Sequence, residues 1–129
     1  WLSVSIILFT IKIYIMKLAS IFKDLKYNED KPVLTVLLDT EFTKEIRIAM
    51  FKDVRMKEHK TPFPIVVEVV DGNISFGVNN EVLNLAKGDL ISLQGNVPHD
   101  LLALNNSIVR LTLTKNDKVK RVENVVDDK

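Results

Sequence analysis

The amino-acid sequence predicts an all-β fold, a sandwich or a barrel, with one short helix before the first strand. From residue 33 onward the apolar residues form short β-branched runs or alternate with polar residues, which is the pattern of strands. Turn-forming residues separate these runs at intervals of roughly 8–12 residues, and no helical segment lies between them. At 129 residues the chain has the length of one domain with a single core.

The short helix is expected at residues 17–26. Apolar residues recur there at helical spacing and the positions between them are polar, so one face of a helix would be apolar. These apolar residues are Leu18, Ile21, Phe22 and Leu25. The polar run 27–31 and Pro32 end the pattern.

The strands are expected at residues 33–38, 46–51, 65–70, 74–78, 82–85, 90–93, 101–104 and 108–114, with a further strand beginning at His59. Gly72 and Gly88 fall in turns that need backbone freedom. The neighbouring residues Asn79 and Asn80 can adopt the positive φ values that a tight hairpin requires.

The two ends of the chain differ from this pattern. Residues 1–15 are apolar and β-branched, and the run is shorter than the roughly 20 apolar residues that a spanning helix needs. We expect it to be an extension with no part in the fold; an added strand or helix packed on the domain, or a membrane anchor or targeting segment, are the alternatives. The barrel domain is then residues 16–115, followed by a loose or partner-packed charged tail, residues 116–129.

Charge and cysteine content exclude several kinds of function. The formal net charge is +1, with basic and acidic residues balanced along the chain, which argues against electrostatic binding of nucleic acid. The chain has no cysteine, so disulfides, thiolate nucleophiles and cysteine-based metal sites are excluded. This composition suits a reducing compartment, and we expect a cytoplasmic protein that does not bind membranes.

Both histidines of the chain lie in stretches bounded by glycine, HKTPFPIVVEVVDG and GDLISLQGNVPHDLLA. These stretches resemble the two motifs of the cupin superfamily, G-x5-H-x-H-x3,4-E-x6-G and G-x5-P-x-G-x2-H-x3-N. His59 and Gly72 match the first motif, and Gly88 and His99 match the second. The 15 residues between the two stretches match the spacing of compact microbial cupins. The resemblance implies a double-stranded β-barrel with jelly-roll-like topology that aims both imidazoles into one lumen.

The two stretches match the cupin motifs only in part, and the residues that differ include positions that bind the metal ion in other cupins. Metal-loaded cupins hold the ion with three histidines and one glutamate, and here the second histidine is Thr61 and the glutamate is Ile65. The remaining departures from the two motifs are Asp53, Gln94, Asn96 and Ala103. Two of the four ligand positions remain, so the resemblance implies His59 and His99 as tentative ligands of a divalent Fe, Mn, Ni or Zn ion.

Three interpretations of the two histidines stay open. They could bind a divalent metal, although a catalytic iron site of the two-histidine type also needs a carboxylate. They could act without metal, as hydrogen-bonding groups or general bases in a pocket. They could also be packed remnants. The nearby carboxylates Glu58 and Glu68 are one strand step out of phase with the lumen, unless a bulge changes the parity.

Strand alternation extends the candidate pocket beyond the histidines. Side chains two residues apart share a face of a strand, which places Thr61 with His59 and Leu101 with His99. The predicted ligand pocket consists of His59, Thr61, Ile65, Val67, His99 and Leu101. Its apolar character favours a ligand with apolar surface.

Charged residues on the predicted strands are expected to face solvent. This applies to Arg47, Arg55 and Arg110, each beside core-forming neighbours, and to Glu68, which is flanked by valines. The apolar leading strand, 33–38, has the character of an open edge that pairs with another chain. Since cupins commonly dimerise through such strands, we expect a homodimer.

The sequence therefore predicts a domain that binds a small molecule in its barrel, with a weakly held divalent metal at His59 and His99 as a further expectation. The alternative is a metal-dependent oxidoreductase or isomerase. An interaction protein with an inactive pocket is a third hypothesis. The residue pattern does not identify the ligand.

Overall fold

Nine β-strands build the part of the chain that the structure, a computed structural model, describes: residues 15–115. They are β1 (Val33–Asp39), β2 (Thr43–Met50), β3 (Arg55–His59), β4 (Ile65–Asp71), β5 (Asn73–Val78), β6 (Glu81–Ala86), β7 (Leu90–Leu93), β8 (His99–Ala103) and β9 (Ser107–Thr114). The eight strands predicted from residue 33 onward by their apolar runs are all found, most of them with shifted ends. His59 ends its strand, whereas the sequence pattern had placed it at the start of one.

The strands form two antiparallel sheets. The five-stranded sheet has the order β1-β2-β9-β4-β7, and the four-stranded sheet has the order β3-β8-β5-β6. Sequence neighbours are often in different sheets, as expected for a chain that winds between two layers. The predicted all-β barrel is confirmed.

The core lies between the two sheets, on what we call their inner faces. In β4, Ile65, Val67 and Val69 are buried, whereas Val66 and Glu68 alternate with them on the outer face and are half-buried. Such alternation buries one face of each sheet and removes its apolar surface from water. The buried cluster comprises Ile46, Ile48, Met50, Val54, Ile65, Val67, Val69, Ile74, Phe76, Leu101, Ala103, Val109 and Leu111.

The turn residues adopt the backbone conformations that the sequence predicted. Asn79 and Asn80 have φ values of 52° and 62° and close the two-residue hairpin between β5 and β6. Gly72 and Gly88 have φ values of 89° and 93°. At Gly72 a Cβ atom would lie 2.3 Å from the hydroxyl of Ser107, so this position has no room for a side chain either.

The helix predicted at residues 17–26 is absent. Residues 16–32 contain no helix or strand, and Asp24 has a φ of 54°, which an α-helix cannot include. Two residues of the expected apolar stripe stay outside the core, since Leu18 is 96% and Phe22 is 58% exposed. The helical spacing therefore did not correspond to a buried helical face.

Arg47 of β2 explains why this segment is not helical. Its guanidinium donates from Nη1 to the carbonyls of Ile21 and Lys23, at 3.0 and 2.8 Å, and from Nη2 to the carbonyl of Asp24, at 3.4 Å. A helix would have used the carbonyl of Ile21 as an acceptor for the amide of Leu25. The carbonyls of residues 21, 23 and 24 thus accept hydrogen bonds from Arg47, whose side chain lies on the outer face of the five-stranded sheet.

The prediction that Arg47 faces solvent is wrong, because residues 21–24 cover it. Arg47 is 3% exposed, and its Nε is buried without a hydrogen-bond partner among the described residues. The other charged strand residues predicted to face solvent, Arg55, Arg110 and Glu68, do lie on outer faces. Arg55 pairs with Asp100 at 2.9 Å, and Arg110 pairs with Glu68 at 3.1 Å, with all four side chains partly exposed.

The predictions for the two ends fall mostly outside the described residues. This holds for residues 1–14 of the apolar extension and for the tail, residues 116–129. Within residues 15–115, no helix is long and apolar enough to cross a membrane.

Candidate functional site

The two histidines are neighbours on the inner face of the four-stranded sheet. His59 at the end of β3 and His99 at the start of β8 are partners in the strand register. Their ring centroids are 4.3 Å apart, and the ring planes meet at 61° in an edge-to-face arrangement. The sequence prediction that one barrel would bring both imidazoles together is therefore correct.

A β-bulge puts His59 on this face. Between Met56 and His59 the chain advances three residues, while the partner strand advances two, from Leu101 to His99. The extra residue keeps both Met56 and His59 on the inner side, which regular alternation would not allow. It leaves Glu58 exposed, so this carboxylate does not join the histidines.

The ring of His99 is buried and is contacted by Phe76 and by the backbone of Val97. His99 is 3% exposed, and its ring stacks on that of Phe76 with centroids 5.7 Å apart and planes at 11°. Its Nδ1 lies 2.9 Å from the carbonyl oxygen of Val97. Burial lowers the pKa of His99, and the nearby charge of His59 lowers it further, while the Val97 carbonyl and Asp100 act in the opposite direction.

His59 repeats this local arrangement in a less buried position. Its Nδ1 lies 2.8 Å from the carbonyl oxygen of Lys57, again two residues earlier in the chain. Neither Nε2 atom has a hydrogen-bond partner within residues 15–115. The site thus presents two imidazoles whose Nδ1 atoms contact the backbone and whose Nε2 atoms are free.

Two loops next to the histidines contact each other, one after β3 and one before β8. The amide of Asn96 donates to the carbonyl of Thr61 at 2.7 Å. Gly95 lies so close to Pro62 that a Cβ atom would be 2.3 Å from the Pro62 carbonyl oxygen. The hydroxyl of Thr61 donates to the carbonyl of Phe63 at 3.0 Å. Thr61 follows the end of β3, so the alternation that placed it beside His59 does not apply to it.

The other predicted pocket residues lie in the core. Leu101 shares the inner face with His99 and pairs with Phe76, whereas Ile65 and Val67 belong to the inner face of the opposite sheet. Each of the three is 2% exposed. Their role in contacting a ligand stays a prediction.

The sequence analysis missed two members of the site, Phe76 and Met56. Phe76 is fully buried, and Met56 packs against the core cluster. Alternation of Ile74, Phe76 and Val78 was a signal for the first, since it puts all three on one face. No local signal marked Met56, because its orientation relative to His59 depends on the bulge.

Comparison with known proteins bears on the fold rather than the chemistry. No protein-family model and no curated protein matches the sequence. Solved structures do match, among them an RmlC-like cupin protein from Desulfovibrio desulfuricans, with a TM-score of 0.71 and 16% identity over 77% of this chain and 96% of that one.

The chain has the cupin fold.

Two further structures agree with this assignment. A protein from Thermus thermophilus matches with a TM-score of 0.69 and 17% identity, covering 77% of this chain and 98% of that chain. A conserved protein with a double-stranded β-helix domain from Klebsiella pneumoniae matches with a TM-score of 0.68 and 15% identity, over 77% and 89% of the two chains. The predicted resemblance to cupins is confirmed for the fold.

Cupins often hold a metal ion, but the described side chains around His59 and His99 do not form a complete set of metal ligands. Within residues 15–115, no group of three or more histidine, cysteine, aspartate or glutamate side chains is close enough to hold an ion. The carboxylate of Glu68 pairs with Arg110 on the outer face, and the hydroxyl of Thr61 is committed to a backbone carbonyl. Two imidazoles supply half of a four-coordinate sphere.

Proposed function

We propose that this cupin domain binds a small molecule at the inner face of the four-stranded sheet, where His59 and His99 recognise its polar group. The observation that carries the proposal is the geometry of the imidazoles. They are adjacent, fixed through Nδ1, and free at Nε2. Rings that served only as core packing would have no need for two adjacent ring nitrogens without hydrogen-bond partners.

The surroundings of the histidines support a ligand with apolar surface. Phe76 stacks on His99, and Met56 and Leu101 share the inner face with the two rings. Small-molecule sites are mostly apolar with a few well-placed polar groups, and this combination matches that description. The metal-dependent alternative, an oxidoreductase or isomerase, would need further ligands that the described residues do not supply.

A binding experiment with matched variants tests the proposal. A fragment library would be screened by thermal shift against the full chain and against a His59→Gln/His99→Gln variant, which keeps polar side chains of similar reach. We expect hits that stabilise the parent protein and lose their effect in the double variant. Hits that stabilise both proteins equally would contradict the proposal, and so would the absence of any hit.

Metal content distinguishes this function from the metal-dependent alternative. The parent protein and the double variant would be purified without a metal-binding tag and analysed by mass spectrometry. We expect substoichiometric Fe, Mn, Ni and Zn in both proteins. Near-stoichiometric metal that disappears in the double variant would overturn the metal-free proposal in favour of the metal-dependent one.

We also propose that a second copy of the chain pairs with the edge of β1. This strand is an edge of the five-stranded sheet, and Leu34 and Val36 are 51% and 54% exposed along it. Open strand edges with apolar side chains favour association. Light scattering is expected to show a dimer for the parent and a monomer for Val36→Lys; a monomeric parent would contradict this proposal.

A further inference from the structure

The two imidazoles share one local geometry that fixes where each ring carries its proton. In both cases Nδ1 approaches the carbonyl oxygen of the residue two positions earlier, Lys57 for His59 and Val97 for His99, at 2.8 and 2.9 Å. A carbonyl oxygen can only accept a hydrogen bond, so Nδ1 must donate. In a neutral ring the proton is then on Nδ1, and Nε2 carries a lone pair.

Resting on the proposed function, we propose that His59 and His99 form a paired hydrogen-bond acceptor that selects uncharged ligands carrying hydroxyl or amide donors and disfavours carboxylates and phosphates. Both Nε2 atoms would present lone pairs to the ligand. A hydroxyl or N–H group can donate a hydrogen bond to such an acceptor. An anionic oxygen cannot donate, and its negative charge is repelled by the lone pairs on Nε2. Leaving the acceptors unpaired in a desolvated site also costs affinity.

The charged groups nearby do not provide a counter-charge for an anion. Within residues 15–115, the ionisable side chains that are buried are those of His99 itself and Arg47, which belongs to the outer face of the other sheet. Arg55 is paired with Asp100. Lys44 lies near the start of β2 on the core side by register, and its strand partner on β1 is the carboxylate residue Asp39.

The side chains of Lys57 and Glu58 beside His59 are exposed, and the residues described on the inner face beside the rings, Phe76, Met56 and Leu101, are apolar. An anionic ligand would therefore have to be desolvated against apolar groups and lone pairs. That is unfavourable, because a buried charge needs a partner.

The first test is the protonation site of the rings. Nitrogen-15 NMR of the histidine-labelled full chain at about pH 8, where neutral imidazole dominates, distinguishes a protonated nitrogen from one with a lone pair. We expect a protonated Nδ1 and an unprotonated Nε2 for both residues. A Lys57→Ala variant should give the same result, because it keeps the carbonyl. Protonation at Nε2 in either ring would overturn the proposal.

The second test uses three probes with the same aromatic ring: phenol, anisole and benzoate. Phenol carries a donor, anisole has the donor removed, and benzoate carries a negative charge. We expect phenol to shift both Nε2 resonances and to bind about fivefold or more tightly than anisole, the factor that one hydrogen bond supplies. Benzoate should bind more weakly than phenol.

The outcomes separate this proposal from the proposed function. Benzoate or anisole binding as tightly as phenol would overturn the selectivity and leave small-molecule binding in place. Absence of binding by all three probes, with both rings protonated at Nδ1, would overturn small-molecule binding at this site and the selectivity with it. The His59→Gln/His99→Gln variant serves as the control for binding elsewhere on the protein.

Discussion

Arg47 and the two histidines are both nitrogen-rich groups that donate to backbone carbonyls, but they lie on different sheets and use their nitrogens differently. Arg47, on the outer face of the five-stranded sheet, contacts carbonyls of Ile21, Lys23 and Asp24, more than 20 positions away in sequence. His59 and His99, on the inner face of the four-stranded sheet, each contact a carbonyl two residues away.

The difference separates a structural role from a recognition role. A long-range contact ties one segment of the chain to another, so removing it affects the packing of that segment. A contact to the preceding residues only orients a ring and leaves its second nitrogen available for another molecule. We therefore expect substitutions of Arg47 to change stability strongly, and those of the histidines to change binding and pH dependence more than stability.

The largest expected effect is that of Arg47→Met on stability. Methionine keeps much of the apolar stem but removes the donors, so the carbonyls of residues 21, 23 and 24 lose their partner. Since hydrogen bonds to charged groups contribute about 1.5–3 kcal/mol each, and opening of the segment to water recovers part of the loss, we expect the free energy of unfolding to fall by about 2–4 kcal/mol. Urea denaturation measures this difference.

Arg110→Met is the matched control for that substitution. Arg110 is the strand partner of Arg47 on the same outer face, but its ion pair with Glu68 is partly exposed. Exposed ion pairs contribute about 0–1 kcal/mol, so we expect a loss of less than about 1 kcal/mol. Equal losses for the two variants would contradict the structural role assigned to Arg47.

An intermediate effect is expected in the pH dependence of stability. Burial lowers the pKa of His99 below its ordinary value of 6.5, so the unfolded chain binds a proton more readily than the folded one. The contribution of His99 to the free energy of unfolding is then fully present above about pH 7 and is lost as the pH falls. The free energy of unfolding changes by at most about 1.4 kcal/mol per pH unit for one proton.

Urea denaturation of the parent protein and of His99→Gln between about pH 5 and pH 8 measures that slope. We expect the parent to lose stability faster than the variant as the pH decreases through this range. The comparison uses slopes and not absolute stabilities, because the substitution also removes the stacking on Phe76. Identical slopes would show that burial of His99 is not linked to its protonation.

The smallest effect concerns the coupling between the two rings. His59 is a lesser cause of the lowered pKa of His99 than burial is. We therefore expect His59→Gln to raise the pKa of His99 while leaving it below the ordinary value, as followed by NMR titration of the His99 ring protons. A further decrease of that pKa would contradict the assigned interaction, and Glu58→Gln, at an exposed position, is the control.

Local sequence signals predicted the regular parts of the fold. Alternation and β-branched runs marked the strands, and the residues able to adopt positive φ marked the turns. This extends to two positions where the cupin motifs have glycine: Asp53 and Asn96 have φ values of 71° and 65°. Aspartate and asparagine tolerate this conformation better than most residues other than glycine, which explains how both residues fit at these positions.

The residue pattern by itself determined the strands and their turns, because periodicity and turn chemistry depend on neighbouring residues. The resemblance of the two histidine stretches to the cupin motifs implied the fold and the convergence of His59 and His99. Only the tertiary structure decided that residues 17–26 are not helical, that Arg47 is buried and that a bulge turns His59 toward Met56. Each of these depends on a contact between distant segments, where a guanidinium competes with helical hydrogen bonds or one strand takes an extra residue against its partner.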